Sequence, residues 1–174
     1  MPRMADQALT REILTDRGFC GFVPFSQLNQ VGVPLDAGIY VVMRPDVSDP
    51  EFLPQSPAGH VKGRDPSVSR DALADAWVGE AVLLYVGKAT KGKTGRRGLR
   101  KRLDEYRRHG AGEAVGHWGG RCIWQLADSD SLLVGWLPTP ARDPGEAEAQ
   151  LITEFIGIYG KRPFANRNSG RRIT

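Results

Sequence analysis

The run Ala81-Val82-Leu83-Leu84-Tyr85-Val86-Gly87 constrains the chain most. It is apolar throughout, so it reads as a central strand. Gly38-Ile39-Tyr40-Val41-Val42 is a second short β-branched and aromatic run, and Leu132–Leu137 (LLVGWL) a third. The expectation is an α+β fold: a small antiparallel sheet of three strands (38–42, 81–87 and 132–137) flanked by helices. With 174 residues the chain is long enough for one ordinary domain and too short for two comfortable ones.

The strongest helix signal lies near the end. Asp143-Pro144-Gly145-Glu146 supplies an N-cap, a proline at the first helical position and a glutamate three after the cap, and Gly160 is the expected stop. A helix from about Arg96 to His109 follows the loop KATKGKTG. Ala8–Asp16 has a helical pattern and is followed by a Gly/Phe/Pro loop, GFCGFVPF. Residues 45–79 are rich in Pro, Asp and Ser and read as an irregular insertion with one helix near Arg70–Trp77. Arg121–Leu126 is short enough to be strand or helix. The expected organisation is an N-terminal extension over 1–36, the main domain over 37–168 and a basic tail over 169–174.

No run of about 18 apolar residues exists to span a membrane, and the start, MPRMADQALTREIL, has no apolar signal core. Cys20 and Cys122 are far apart, so both are expected to be reduced core thiols in a cytoplasmic protein. His60, His109 and His117, without paired cysteines, lack zinc-site spacing. The formal net charge is +4, yet Lys88–His109 alone carries ten Lys/Arg against two acids, or +8, leaving −4 for the rest. A second basic stretch holds Lys161, Arg162, Arg167, Arg171 and Arg172. Two basic segments on a mildly acidic body suit a polyanionic partner, or else a solvated helix face and a tail.

Helical wheels single out two charges. Leu99, Leu103 and Tyr106 form one buried stripe, with Arg102 on its border and Arg97, Arg100, Lys101 and Arg108 outward. On the last helix Ala147, Leu151, Phe155, Ile158 and Tyr159 form the stripe. Glu148 falls within it, at about 60° from Leu151, while Glu146 faces solvent and Glu154 lies on the far margin. A carboxylate in an apolar stripe calls for a partner, a proton or a metal. A bridge between Arg102 and Glu148 would be a purely structural answer.

At these residues the chain resembles the GIY-YIG nuclease family. Gly38-Ile39-Tyr40 and Tyr85-Val86-Gly87 match its two signature tripeptides, with Val for the middle Ile. YVGKAT…GLRKRLDEY is similar to the same segment of excision-repair endonuclease subunits, which aligns Arg102 with the family's catalytic arginine and Tyr106 with a tyrosine that some members replace by histidine. Glu148-Ala149-Gln150-Leu151-Ile152 with Phe155 is similar to the helix whose Glu holds the metal in restriction-type members. Pro163-Phe164-Ala165-Asn166 is similar to the closing P-x-x-N. The chain departs from the family in its long 45–79 insertion and in the longer spacing from Glu148 to Asn166, which leaves Glu154 and Asn168 as competitors.

The resemblance implies a DNA endonuclease dependent on Mg²⁺ or Mn²⁺, with Tyr40, Tyr85, Arg102, Glu148 and Asn166 as its catalytic set and Glu148 as the metal ligand. One magnesium ion held by one carboxylate and waters suits this chemistry, and Arg102 would grip phosphate oxygens. Tyr85, more than Tyr40, would take a proton from water or position it, and Asn166 would tie the chain end to the site. Lys88, Lys91, Lys93, Arg96, Arg97, Arg100 and Tyr106 would contact DNA. Gly38 and Gly87 would let the backbone bend or approach phosphate closely. A homodimer would suit a double-strand cut, and the alternative function is a nucleic-acid-binding module without cleavage.

Overall fold

Local chemistry sets the element boundaries in the computed structural model, which describes residues 8–167. In helix α4 (Pro144–Tyr159) the Asp143 carboxylate accepts from the Glu146 amide, Pro144 begins the helix, and Gly160 ends it at φ 77°. Thr10 and Ser69 cap α1 (Arg11–Asp16) and α2 (Arg70–Ala76) in the same way, each side chain accepting from the amide three residues on. Helix α3 (Leu99–Gly110) has no side-chain cap. Its first amides, Leu99 and Arg100, donate instead to the carbonyls of Asp36 and Pro34 at 2.9 and 3.0 Å. The ambiguous segment Arg121–Gln125 is a 3-10 helix.

The sheet has four strands: β1 (Cys20–Pro24), β2 (Gly38–Met43), β3 (Leu83–Ala89) and β4 (Leu133–Pro138). All pairs are antiparallel, in the order β1-β4-β2-β3. The fold is therefore α+β with helices flanking a four-stranded sheet, one strand more than expected. The added strand is the GFCGFVPF segment, expected as a loop. Gly21 (φ 89°) and Phe22 (φ 57°) break the register between Gly21 and Val23, so the strand continues past them as a bulge. The Trp136 ring also occupies the space that a Cβ at Gly21 would need.

Strand β3 is not central but lies at the sheet edge. Its apolar character comes from cover on both faces. Leu84 and Tyr85 pack with α3, and Leu83 and Val86 pack with α1 and α4. The chain end then closes the free edge, because the Ala165 amide donates to the Leu84 carbonyl at 2.8 Å. Strand β2 separates the two cores, Tyr40 and Val42 facing α3 and Ile39, Val41 and Met43 facing α4. In the second core Phe155 is fully buried, a burial that contributes about 1.5–3 kcal/mol.

The 45–79 insertion is packed rather than free. The buried Gln125 side chain accepts from the Val68 amide and donates to the Leu53 and Val68 carbonyls at 2.6, 3.1 and 2.9 Å. Phe52 stacks on Phe164. Of the two cysteines only Cys122 is a core thiol; Cys20, on β1, is exposed. No helix among the described residues is long and apolar enough to cross a membrane. Asn168, Arg171, Arg172 and the 169–174 tail lie outside the described residues.

Candidate active site

Antiparallel register brings the tyrosines together. Tyr40 on β2 pairs with Gly87 on β3, and Val42 with Tyr85, which sets the Tyr40 and Tyr85 rings 6.1 Å apart. A Cβ at Gly87 would overlap the Tyr40 ring, and one at Gly38 would overlap the Leu137 carbonyl. Gly38 opens β2 and Gly87 lies within β3. They make room for close packing, of the Tyr40 ring at Gly87 and of the Leu137 carbonyl at Gly38.

Tyr40 is buried, and its hydroxyl lies 2.6 Å from His117 Nε2. The His117 ring stacks on Tyr106 at 3.5 Å between centroids and 9° between planes. Tyr106 is itself fully buried and donates its hydroxyl to the Gly120 carbonyl at 2.7 Å. It therefore presents no surface to a nucleic acid, contrary to expectation, and instead supports the aromatic cluster. The reason is its place on the buried stripe of α3, beside Leu99 and Leu103.

Arg102 donates to the Gly116 carbonyl at 2.8 Å and reaches Glu105 at 3.3 Å. Glu105 also takes Arg97 at 2.7 Å through both carboxylate oxygens. The ion partner of Arg102 is thus Glu105, three residues on, and the internal bridge to Glu148 does not form. The loop 116–120 is tied to the site at three points: Gly116 to Arg102, His117 to Tyr40, and Gly120 to Tyr106.

Glu148 projects from α4, half-buried, into a cleft of about 350 Å³ that it lines with Tyr85, Gly119, Asn166 and Arg167. Burial raises its pKa and the Lys88 charge opposes the rise. Glu154 is engaged elsewhere, paired with Arg17 at 2.6 Å. Asn166 stitches the chain end to β3, its Oδ1 accepting from the Val86 amide at 2.9 Å and its Nδ2 donating to the Val86 carbonyl at 2.8 Å. Among the described residues no three His, Cys, Asp or Glu side chains converge as a metal cluster. A cation in the cleft would have Glu148 as its acidic ligand and take water and phosphate oxygens for the rest, a shell that suits magnesium and not zinc.

The electrostatics favour neutral phenols and a fixed cation. Burial pushes the Tyr85 pKa up to about 12, with Arg102 opposing and Glu148 adding to the rise. Burial lifts Tyr40 well above the ordinary phenol value, with the Tyr85 charge adding. Burial works against the Arg102 charge, but Tyr40, Tyr85 and Glu105 outweigh it and raise the arginine pKa. With these shifts both tyrosines are neutral hydrogen-bonding groups at neutral pH.

Lys88, Lys91, Lys93, Arg96, Arg97 and Arg100 are exposed along the end of β3, the following loop and the start of α3. Lys88, Thr90, Arg97 and Arg102 line a second, smaller pocket of about 200 Å³. A larger cavity, about 640 Å³, lies against the outer side of α3 between Leu35 and Arg100, away from Glu148. Sequence reasoning missed His117, which it weighed only as a zinc ligand, and Glu105, whose spacing from Arg102 was a usable signal. No family model, curated protein or solved structure matches the chain.

Proposed function

We propose that this chain is a metal-dependent endonuclease that hydrolyses phosphodiester bonds in DNA, with a GIY-YIG-like active site on the edge of its sheet. The observation that carries the reading is one cleft lined by Tyr85, Glu148 and Asn166, with the buried Tyr40 and the partly exposed Arg102 acting on Tyr85 from behind. A half-buried carboxylate with no cationic partner at bonding distance among the described residues is costly in a merely structural role. The exposed basic loop and helix beside it support DNA as the partner.

Hydrolysis forms a bond from water oxygen to phosphorus and breaks the bond from phosphorus to the leaving oxygen, while the attacking water gives up one proton to solvent and the leaving oxygen takes one from it. A divalent ion on Glu148 would supply charge relief and a more acidic bound water. Arg102, held by Gly116 and Glu105, is fixed in orientation and offers its remaining donors to phosphate oxygens. The Tyr85 hydroxyl, neutral at pH 7, orients the attacking water through a hydrogen bond. Tyr40 and His117 brace it from behind, and Asn166 holds the β3 edge on which Tyr85 sits.

The test is incubation of wild type and Glu148→Ala with plasmid, branched and single-stranded DNA, in Mg²⁺ or Mn²⁺ and in EDTA. Cleavage by the wild type with metal, lost by several orders of magnitude in the variant with DNA binding retained, is the expected result. Wild-type binding without cleavage of any DNA form removes the enzyme and leaves a nucleic-acid-binding module.

A further inference from the structure

Two arginines from remote parts of the chain lie on Trp118, and a third, Arg167, lines the Glu148 cleft beside the next residue, Gly119. Arg64 belongs to the 45–79 insertion, Arg121 to the 3-10 helix after the 116–120 loop, and Arg167 to the chain end. The guanidinium carbons of Arg64 and Arg121 lie 4.6 and 4.3 Å from the centre of the same ring, Trp118. Arg167 lines the cleft together with Tyr85, Glu148 and Gly119, the residue that follows Trp118. Burial lowers the pKa of Arg121, Cys122 opposes the fall, and repulsion from Arg167 and Arg64 adds to it, so the three charges feel one another.

Among the described residues none of the three arginines has an ion pair, and Glu148, which shares the cleft with Arg167, is not at bonding distance from any of them. The neighbouring Asp65 is occupied, accepting from the Ser67 amide at 2.8 Å and lying 3.7 Å from His60. Arg64 is also presented by a rigid device. Val61 and Arg64 exchange backbone hydrogen bonds of 3.1 and 3.0 Å across a two-residue turn, with Lys62 and Gly63 both at positive φ. Arg121 gives one donor to the Trp118 carbonyl at 3.2 Å and Arg167 one to the Ala72 carbonyl at 3.4 Å, which hold both side chains in place and leave further guanidinium donors for a ligand.

We propose that Arg64, Arg121 and Arg167 form a phosphate-binding site that seats a backbone phosphate of the DNA strand entering the Glu148 cleft. The proposal rests on the nucleic-acid reading above and gives the 45–79 insertion a task, the delivery of Arg64. The site's residues are distinct from those of the Lys88–Arg100 surface, of which Lys88 and Arg97 line a different pocket. Like charges gathered without a counter-ion make an anion the complementary ligand, and arginine forks match phosphate oxygens.

The experiment measures affinity for a short DNA duplex in EDTA, where turnover is blocked, over a range of salt concentrations. The proteins are wild type, Arg64→Gln, Arg64→Lys, the Arg64→Gln/Arg167→Gln pair and Lys62→Gln. Each lost phosphate contact should reduce the slope of log affinity against log salt by about 0.9. Arg64→Gln should lose one such step, the pair two, and Arg64→Lys none. Arg64 is exposed, so its melting temperature should stay near wild type. An unchanged slope for Arg64→Gln, or an equal fall for Lys62→Gln, overturns the site. A reduced slope without cleavage of any DNA keeps the site and removes the nuclease reading; cleavage with an unchanged slope does the reverse.

Discussion

The Tyr40 hydroxyl and His117 Nε2 are 2.6 Å apart in a space closed to solvent, with Tyr106 stacked on the imidazole. The histidine supports the phenol both by packing and by one hydrogen bond, with Tyr85 and Arg102 as its other polar neighbours. His117→Phe keeps a ring against Tyr106 but removes the nitrogen, at a cost of about 1 kcal/mol for the lost hydrogen bond. Urea denaturation of wild type and variant measures the difference. Equal stability would mean that this hydrogen bond contributes nothing.

Acid should weaken the fold early. Burial lowers the pKa of His117 well below the ordinary histidine value of 6.5, with the Arg102 charge adding, and burial also lowers that of His109. As pH falls below 6.5 the unfolded chain takes up protons that the native state refuses. Stability therefore falls with falling pH, by about 1.4 kcal/mol per pH unit for each histidine, until the folded-state value is passed. Urea midpoints between about pH 7 and 5.5 should show the decline, and His117→Phe should flatten it. A midpoint that stays level through this range would contradict the buried neutral histidines.

Much of this organisation was legible in the residues, and the failures have physical causes. Helix α4 was readable because Asp143, Pro144 and Gly160 fix its ends locally. Arg102 and Glu148 stood out because a charge on an apolar helical stripe is improbable without a task. Strand β1 was hidden because its bulge places Gly21 and Phe22 at positive φ, which reads as a loop. Strand β3 read as central because its cover by α1, α3, α4 and the chain end leaves the same apolar pattern as neighbouring strands would. His117 and the Arg64–Trp118–Arg121 cluster are tertiary, joining residues that no short-range pattern connects.

The two glutamates of α4 should separate in a paired measurement. Glu154 makes a two-fold hydrogen-bonded ion pair with Arg17, tying α4 to the end of α1, but both side chains are substantially solvated. Its replacement by alanine should cost no more than about 1 kcal/mol and leave any cleavage intact. Glu148→Ala removes a carboxylate that burial already disfavours, so the melt should be unchanged or slightly higher. Thermal melts and a cleavage assay on both variants distinguish them. Loss of activity on Glu154→Ala would transfer the ligand role to that residue.

Asn166 offers the sharpest test of how the chain end supports the site. Strand β3 is the sheet's edge, and the Val86 amide and carbonyl on its free side are both satisfied by this one side-chain amide, at 2.9 and 2.8 Å. Asn166→Ala strands both groups, each at about 1–3 kcal/mol where water cannot replace the lost partner. Hydrogen exchange at the Val86 amide should accelerate by the same free energy. Asn166→Asp keeps the shape and the acceptor but sets a carboxylate oxygen against the Val86 carbonyl. That repulsion favours the protonated acid, which can donate, so the folded-state pKa of the new carboxyl is raised. Its contribution is then present at low pH and lost as pH rises through that value, so the stability gap to wild type should narrow on acidification. Melts of wild type and Asn166→Asp across the acid range read that gap directly. A gap independent of pH, with Val86 exchange at the wild-type rate, would mean that Asn166 does not latch the edge of the strand carrying Tyr85.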